Sequence, residues 1–202
     1  MFVKFVRWFT FLLSFFLLIG CQTVNQSQST CDLIAISRVE DYLNNSSGFI
    51  GQFEQTWPDS NHSRGQIIYL PGKLRLNYRY PFLMVAVAKD RRMVVKDYNS
   101  QSLTQIGLNH NPLGLMLNNP VRLQNSILVT SVKHTVNFLQ ISLASSDNPS
   151  QGLLTLRFRD NGKELNLIQM LAIDARQRQT IVTINNIHRG INIDPAYFSY
   201  PQ

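Results

Sequence analysis

Alternation of apolar and polar residues with a period of two constrains the fold of this sequence most. In residues 49–57 the aromatic residues Phe49, Phe53 and Trp57 fall on one side of an extended chain, and mostly polar residues fall on the other. The same alternation recurs in residues 73–78. An antiparallel sheet with one covered face has this pattern. We therefore predict strands for most of the chain.

Helical spacing is confined to two predicted segments. Residues 31–43 carry apolar residues three and four apart, and in residues 111–118 Asn111 is a candidate N-cap followed by Pro112. Strands are predicted at residues 49–57, 65–70, 73–78, 84–89, 93–98, 102–108, 135–144, 152–159, 164–174 and 179–187. This order predicts a mainly β fold with two or three helices. The expected architecture is an unclosed, strongly curved antiparallel β-barrel whose helices cover its concave side.

The first 20 residues have the composition of an export signal. Lys4 and Arg7 precede an apolar run over residues 8–19, which is shorter than the roughly 20 residues that span a bilayer. The run ends in residues 18–21, Leu-Ile-Gly-Cys, which look like a bacterial lipobox. In a lipobox, Cys21 is acylated and becomes the first residue of the mature chain. An ordinary cleaved signal, or an uncleaved anchor with a chance cysteine, is the alternative.

Removal of residues 1–20 leaves 182 residues, which is about one domain. Residues 21–30 are polar and predict a flexible tether, followed by a single domain over residues 31–202. The signal holds two of the 19 Lys and Arg residues, so 17 bases against 12 acids give the mature chain a net charge of +5. The basic residues are scattered, which argues against nucleic acid and fits a surface near anionic headgroups.

The two cysteines allow two arrangements. If Cys21 carries lipid, Cys31 has no partner and is expected to be a small buried residue of the first helix. A Cys21–Cys31 disulfide is the competing interpretation, and it excludes acylation.

The sequence contains none of the common catalytic motifs. There is no G-x-S-x-G, H-E-x-x-H, P-loop or G-x-G-x-x-G pattern, and the four histidines are far apart. We therefore expect neither an enzyme nor a protein with a metal or another cofactor.

Apolar residues are in excess on the predicted interior face. The simplest interpretation is a packed core, and the alternative is a concave face that leaves a cavity for an apolar ligand. The candidate acyl-chain cavity residues are Phe49, Phe53, Trp57, Ile67, Tyr69, Leu74, Leu76, Tyr78, Val85, Val87, Met93, Val95, Leu113, Met116 and Leu117.

Several segments together resemble the periplasmic outer-membrane lipoprotein carrier family LolA and its receptor relative LolB. The resemblance rests on the order and spacing of residues 49–55, 71–78, 111–117 and 194–198. It implies an open barrel with a helical lid over a cavity that binds lipoprotein acyl chains. It also implies acylated lipoproteins as cargo, and an inner-membrane lipoprotein-release transporter or a carrier as donor. We expect a monomer.

Two departures from the family pattern point toward a membrane-anchored acceptor. The Arg that usually precedes the Pro of an R-P-G segment, and that holds the lid shut, is replaced by Leu70. The chain also has the acylation signal at Cys21, whereas carriers are usually soluble. Gln22 after the cysteine is compatible with the outer membrane, so we expect an anchored lipoprotein on the periplasmic side of the envelope, more often in the outer than in the inner membrane.

Other functions remain open from the sequence. A cavity-bearing lipoprotein that senses envelope stress through a membrane partner has the same features. A soluble periplasmic protein, a structural lipoprotein with a filled core, and an exported enzyme on an unrecognised β scaffold are further alternatives.

Overall fold

A computed structural model describes residues 30–123 and 127–202. The signal segment, Cys21 and nearly all of the expected tether lie outside these residues. One α-helix, α1, spans Thr30–Asn44, and short 3-10 helices span Pro112–Met116, Pro149–Gln151 and Pro195–Phe198. The described strands are β1 Phe49–Thr56, β2 His62–Leu70, β3 Lys73–Tyr80, β4 Met84–Lys89, β5 Arg92–Asp97, β6 Leu103–Gly107, β7 Ile127–Thr135, β8 Phe138–Ser145, β9 Gly152–Asp160, β10 Leu165–Asp174 and β11 Gln179–Arg189.

All of these strands belong to one antiparallel sheet. Its order is β6-β5-β4-β3-β2-β1-β11-β10-β9-β8-β7, so the first and last strands pair at its centre and join two meanders. Phe53 of β1 lies opposite Gly65 of β2 on one side and Ile184 of β11 on the other. The sheet is not closed, because β6 and β7 are its two edges. The predicted mainly β fold, an open antiparallel barrel with a helical cover, is confirmed.

The inner face of the sheet is covered by α1 and by residues 108–123, which connect β6 to β7. The Asn44 side chain ties the two covers together: its Nδ2 donates to the Val121 carbonyl at 2.9 Å, and its Oδ1 accepts from the Val121 amide at 2.8 Å. A carboxylate oxygen of Glu40 accepts from the Leu123 amide. Helix and connection therefore form one continuous lid.

Aromatic rings fill the part of the interior beneath α1. The Phe49 and Tyr69 rings stack with centroids 5.3 Å apart, and Tyr42 meets Phe158 edge-on at 5.2 Å. All four side chains are buried. This half of the inner face is a packed core, with little room for a ligand.

The outer face carries a second apolar cluster, which we call the outer cluster. It contains Ile68, Val87, Ile193 and Phe198, packed with Ile50, Leu70, Val85 and Tyr200. Residues 190–202 run back over β2–β4 to form it. The Tyr200 hydroxyl donates to the Lys89 carbonyl at 2.9 Å, and the Lys89 and Arg92 cations lie over the Tyr200 ring. Both faces of these strands are thus covered.

The observed elements differ from the predicted ones in three places. The strand predicted over residues 135–144 is β8, whereas β7 was not predicted, and Val136 in the turn between them is 95% exposed. Because β7 is an edge strand, much of it is exposed and its alternation is weak. Strand β2 begins at His62, three residues before the strand predicted over residues 65–70. The predicted helix over residues 111–118 is the 3-10 helix Pro112–Met116, with Asn111 as its N-cap.

The prediction that Cys31 is buried was wrong. Cys31 is exposed, and Leu33, which the helical pattern assigned to the apolar face, is 45% exposed. The buried residues of α1 begin only at Ala35. The first turn therefore extends past the core, where periodicity no longer indicates burial.

A paired carboxylate joins α1 to the turn after β9, and it should make stability depend on pH. Both guanidinium Nη atoms of Arg38 donate to the Asp160 carboxylate at 2.7 Å, and the Gly162 amide donates to it at 2.8 Å. These bonds, that from Arg38 first, lower the pKa of Asp160. A carboxylate whose pKa is lower in the folded than in the unfolded chain stabilises the fold at pH values above its ordinary pKa of about 3.9. This stabilisation is lost as the pH falls through the folded-state pKa.

We expect the wild type to lose more free energy of unfolding between pH 7 and about pH 2.5 than Asp160→Asn does, measured by urea denaturation. Asp147→Asn, at an exposed site, should keep the wild-type pH dependence, and identical curves for all three proteins would contradict the assignment.

Candidate functional site

A cavity of about 540 Å³ lies inside the barrel, beside the packed aromatic core. One wall comes from β1 and β3–β6, the opposite wall from β9–β11, and a third side from the start of the helix Pro112–Met116. The residues that line it are Gln55, Trp57, Pro58, Leu74, Leu76, Tyr78, Met84, Ala86, Met93, Val95, Ile106, Asn111, Pro112, Leu113, Leu154, Met170, Ala172, Asp174, Arg178, Thr180 and Val182. The volume is in the range typical of small-molecule sites, and the wall is predominantly apolar.

The structure brings about half of the sequence-predicted residues to this cavity. Those that line it are Trp57, Leu74, Leu76, Tyr78, Met93, Val95 and Leu113. Another six belong to the packed core around and beneath it: Phe49, Phe53, Ile67, Tyr69, Met116 and Leu117. For those six residues the interpretation as a packed core describes the position better than the interpretation as a cavity lining does.

Val85 and Val87 are the exceptions, because they face the other side of the sheet. Both pack in the outer cluster. Leu76 lies opposite Ala86 in the β3–β4 register, so the alanines of β4 share the face of Leu76. The prediction that the valines point into the interior was therefore wrong. Both faces of β4 are covered, so both carry apolar residues. The position of its larger side chains, the valines, therefore does not identify the inner face of the strand.

The sequence did not predict five polar residues that line the cavity. Among the described residues these are Gln55, Asn111, Asp174, Arg178 and Thr180. A signal for Gln55 was present, because it alternates with Phe53 and Trp57 on the inward side of β1. The residues of β10 and β11 had no such signal: a bulge in the pairing of β10 with β9 shifts the register, and the sequence does not show it.

The cavity opens where the β1–β2, β3–β4 and β10–β11 turns meet. Here Arg178 donates to the Asp174 carboxylate through Nε at 2.8 Å and Nη2 at 2.7 Å, which lowers the pKa of Asp174. An open groove of about 990 Å³ continues outward from this mouth along Trp57, Tyr80 and Phe82. The mouth is thus charged on one side and aromatic on the other.

Tyr69 holds the lid against the sheet. Its hydroxyl donates to the Leu43 carbonyl at 2.9 Å and lies 3.4 Å from the Met116 carbonyl, so it joins α1 and the 3-10 helix to β2. Burial raises the pKa of this phenol, which keeps it a donor. Leu70, at the position of the family arginine, packs in the outer cluster instead, since successive strand residues point to opposite faces. A donor to the lid thus exists, one residue before the position that the sequence indicated.

Tyr69→Phe removes this donor and leaves the ring in place. We expect the free energy of unfolding to fall by about 1–3 kcal/mol, because two buried carbonyl groups lose their shared partner. Amide exchange at residues 113–117 should become faster. Urea denaturation and hydrogen-exchange mass spectrometry measure the two effects. Tyr80→Phe, at a 53% exposed ring, is the matched control; equal effects of the two substitutions would refute the role of Tyr69.

Two further features bear on the chemistry of the described residues. No group of three or more His, Cys, Asp or Glu side chains within residues 30–123 and 127–202 is arranged to hold a metal ion. In the same part of the chain, no helix has both the length and the apolar character needed to cross a membrane.

Solved structures that match this chain include three with low sequence identity. A LolA superfamily protein from Nitrosomonas europaea has a TM-score of 0.48 and 11% identity, covering 83% of this chain and 96% of that one. A DUF1329 family protein from Desulfovibrio piger has a TM-score of 0.43 and 10% identity over 83% and 96%. Lipoprotein LppX from Mycobacterium tuberculosis has a TM-score of 0.41 and 10% identity over 81% and 100%.

Sequence comparison identifies the family. A search of curated proteins finds no match to the chain. The family profile described as "Outer membrane lipoprotein carrier protein LolA" matches residues 44–201, which is most of the chain and includes all eleven described strands. The protein therefore belongs to the LolA family.

Proposed function

We propose that this protein binds the acyl chains of lipoproteins in its cavity and carries or accepts them for localisation to the outer membrane. It acts without making or breaking a covalent bond. The observation that carries the proposal is the apolar cavity of about 540 Å³ under a hydrogen-bonded lid, in a chain of the LolA family. The description of that family is "outer membrane lipoprotein carrier protein".

The physics of acyl chains requires such a site. Exposing one methylene group to water costs about 0.8 kcal/mol, so a chain of about 16 carbons costs on the order of 10 kcal/mol. A lipoprotein that leaves a membrane must therefore keep its chains in another apolar environment. An open barrel with apolar residues on its inner face supplies this environment, and unequal affinities along the route supply direction.

Membrane attachment through Cys21 completes the proposed role. An acylated Cys21, followed by the tether of residues 21–30, holds the domain at the periplasmic side of the envelope, with the outer membrane favoured over the inner. The partners are then acylated lipoproteins, and an inner-membrane release transporter or a carrier that donates them. The polar composition of the tether leaves the domain free to reorient toward such a donor.

Leu76→Glu should abolish acyl binding. Leu76 is buried at the cavity wall, and a carboxylate there would be desolvated among apolar groups without a partner. We expect affinity for a fluorescent acyl probe to fall more than about tenfold, equivalent to about 1.4 kcal/mol or more. Arg75→Glu is the matched control. Arg75 lies on the outer face, where its Nη1 donates to the Tyr197 carbonyl at 2.8 Å, so the same new charge should leave binding unchanged.

A cavity-filling variant separates lost binding from lost folding. Ala172→Phe places a ring in the cavity without adding charge. It should lower the affinity for the acyl probe, while the circular dichroism spectrum stays that of the wild type. Lipoproteins that copurify with the wild type should be depleted from both cavity variants. Unchanged probe affinity and unchanged copurification in folded Leu76→Glu and Ala172→Phe proteins would exclude the cavity as the binding site.

Cys21→Ser should release the protein from the membrane. Without a thiol the chain is not acylated, and an expected lipid anchor is lost. Palmitate labelling and membrane fractionation of the wild type and the variant test this. Palmitate incorporation in the wild type alone, together with loss of the variant from the membrane fraction, is the expected result. An unlabelled wild type would refute the anchor and favour an ordinary cleaved signal.

A further inference from the structure

One polar side chain is built into the apolar part of the cavity, beneath its charged mouth. Gln55 is 4% exposed and lines the cavity from β1. Its Oε1 accepts a hydrogen bond from the Tyr78 hydroxyl at 2.8 Å. Its nearest inward-facing neighbours along β1 are Phe53 and Trp57. A glutamine at such a position costs free energy unless both ends of its amide are used.

The other end of this amide has no partner within the described residues. The Tyr78 hydroxyl donates to Oε1, and burial raises the pKa of this phenol, which keeps it protonated. Every fully enclosed side-chain nitrogen or oxygen in the described part of the chain has a hydrogen-bond partner. Nε2, which has none, therefore borders open space. For an inward-facing residue of β1 that space is the cavity.

The depth of Gln55 fits the junction between the hydrocarbon and the polar part of an acyl ligand. Trp57 at the mouth is two residues farther along β1, or about 7 Å at the usual rise per residue. On β3, which β2 separates from β1, the distance from Tyr78 inward to Leu74 is four residues, or about 13 Å. Val182 lies opposite Gln55 on β11, and farther from the mouth the wall includes Leu74 and Leu76. A donor at this depth meets a ligand where its apolar chain ends.

We propose that the Gln55 amide donates a hydrogen bond to the carbonyl oxygen of a bound acyl group and thereby sets how deep the chain enters. This rests on the proposed function and names the chemical class of its ligand: an acyl ester or amide, as opposed to a plain hydrocarbon or an ether. A carbonyl oxygen only accepts hydrogen bonds, so it matches a site whose free group only donates. An ether-linked chain lacks this carbonyl and leaves the donor in apolar surroundings.

The volume of the cavity suits a single chain held in this way. A methylene group is about the size of a water molecule, which occupies about 30 Å³ in the liquid, so about 540 Å³ holds roughly 18 such groups. One chain of about 16 carbons with its carbonyl fills that space. The rest of the ligand then lies at the mouth, beside Arg178 and the outer groove.

The test compares two ligands that differ in the carbonyl alone. Monopalmitoylglycerol (an ester) and hexadecylglycerol (the corresponding ether) compete with N-phenyl-1-naphthylamine, a fluorescent probe without a carbonyl, on the purified full chain. We expect the ester to bind the wild type about three- to tenfold more tightly than the ether, the effect of one buried hydrogen bond. In Gln55→Leu the two ligands should bind equally. Gln52→Leu, which makes the same change at an exposed glutamine of β1 that does not line the cavity, should keep the preference.

A double variant guards against misfolding. Gln55→Leu leaves the Tyr78 hydroxyl without its acceptor, so Gln55→Leu combined with Tyr78→Phe removes both partners and is better tolerated. It too should bind ester and ether equally. Equal binding of both ligands by the wild type, or an ester preference that survives in the double variant, would overturn the role of Gln55 and leave the acyl-binding function intact. Failure of both ligands to displace the probe from the wild type would overturn the function as well.

Discussion

A single curved sheet with two apolar faces is the constraint on which the rest of this structure depends. Each strand places alternate residues on opposite sides, so apolar residues on both sides of β2–β4 require a cover on each. The C-terminal residues 190–202 cover the outer face through Phe198 and Ile193. Helix α1 and residues 108–123 cover the inner one. The outer cover packs tightly against its strands, whereas the inner one leaves a cavity, and it is this difference that gives the fold a site.

The position of the cavity follows from where the aromatic side chains are. Phe49, Tyr69, Tyr42 and Phe158 fill the interior below α1. On the other side of the interior, β4 contributes Ala86 and β10 contributes Ala172, which are too small to meet across the barrel. Folding is therefore supported by one half of the inner face, while the other half can remain open without loss of the fold. Most side chains of the open half are apolar, so ligand binding there removes apolar surface from water.

Periodicity in the sequence predicts the sheet well because burial on one face imposes it, and it fails where that condition fails. The strands next to the centre alternate clearly, but the edge strand β7 is covered weakly and was not predicted. On β4 both faces are buried, so the pattern could not show that Ala86 faces inward and Val85 outward. In α1 the first turn passes beyond the core, which leaves Cys31 exposed. The cavity residues of β1 and β3 were predictable from alternation, whereas those of β10 and β11 depend on long-range register.

The lid and the buried amide solve the same physical problem in different ways. A tyrosine hydroxyl or a glutamine amide loses its water on folding and must find a partner within the protein or in a ligand. Tyr69 finds both of its contacts in the lid, at Leu43 and Met116, and so stabilises the closed arrangement whether or not a ligand is present. Within the described residues Gln55 has one such partner, Tyr78, and its amide Nε2 borders open space. The free energy that this donor lacks in the empty protein is recovered only when an acceptor arrives at the right depth. An apolar cavity alone would bind any hydrocarbon of suitable size, and in the role proposed for Gln55 the unpaired donor adds selection for an acyl group.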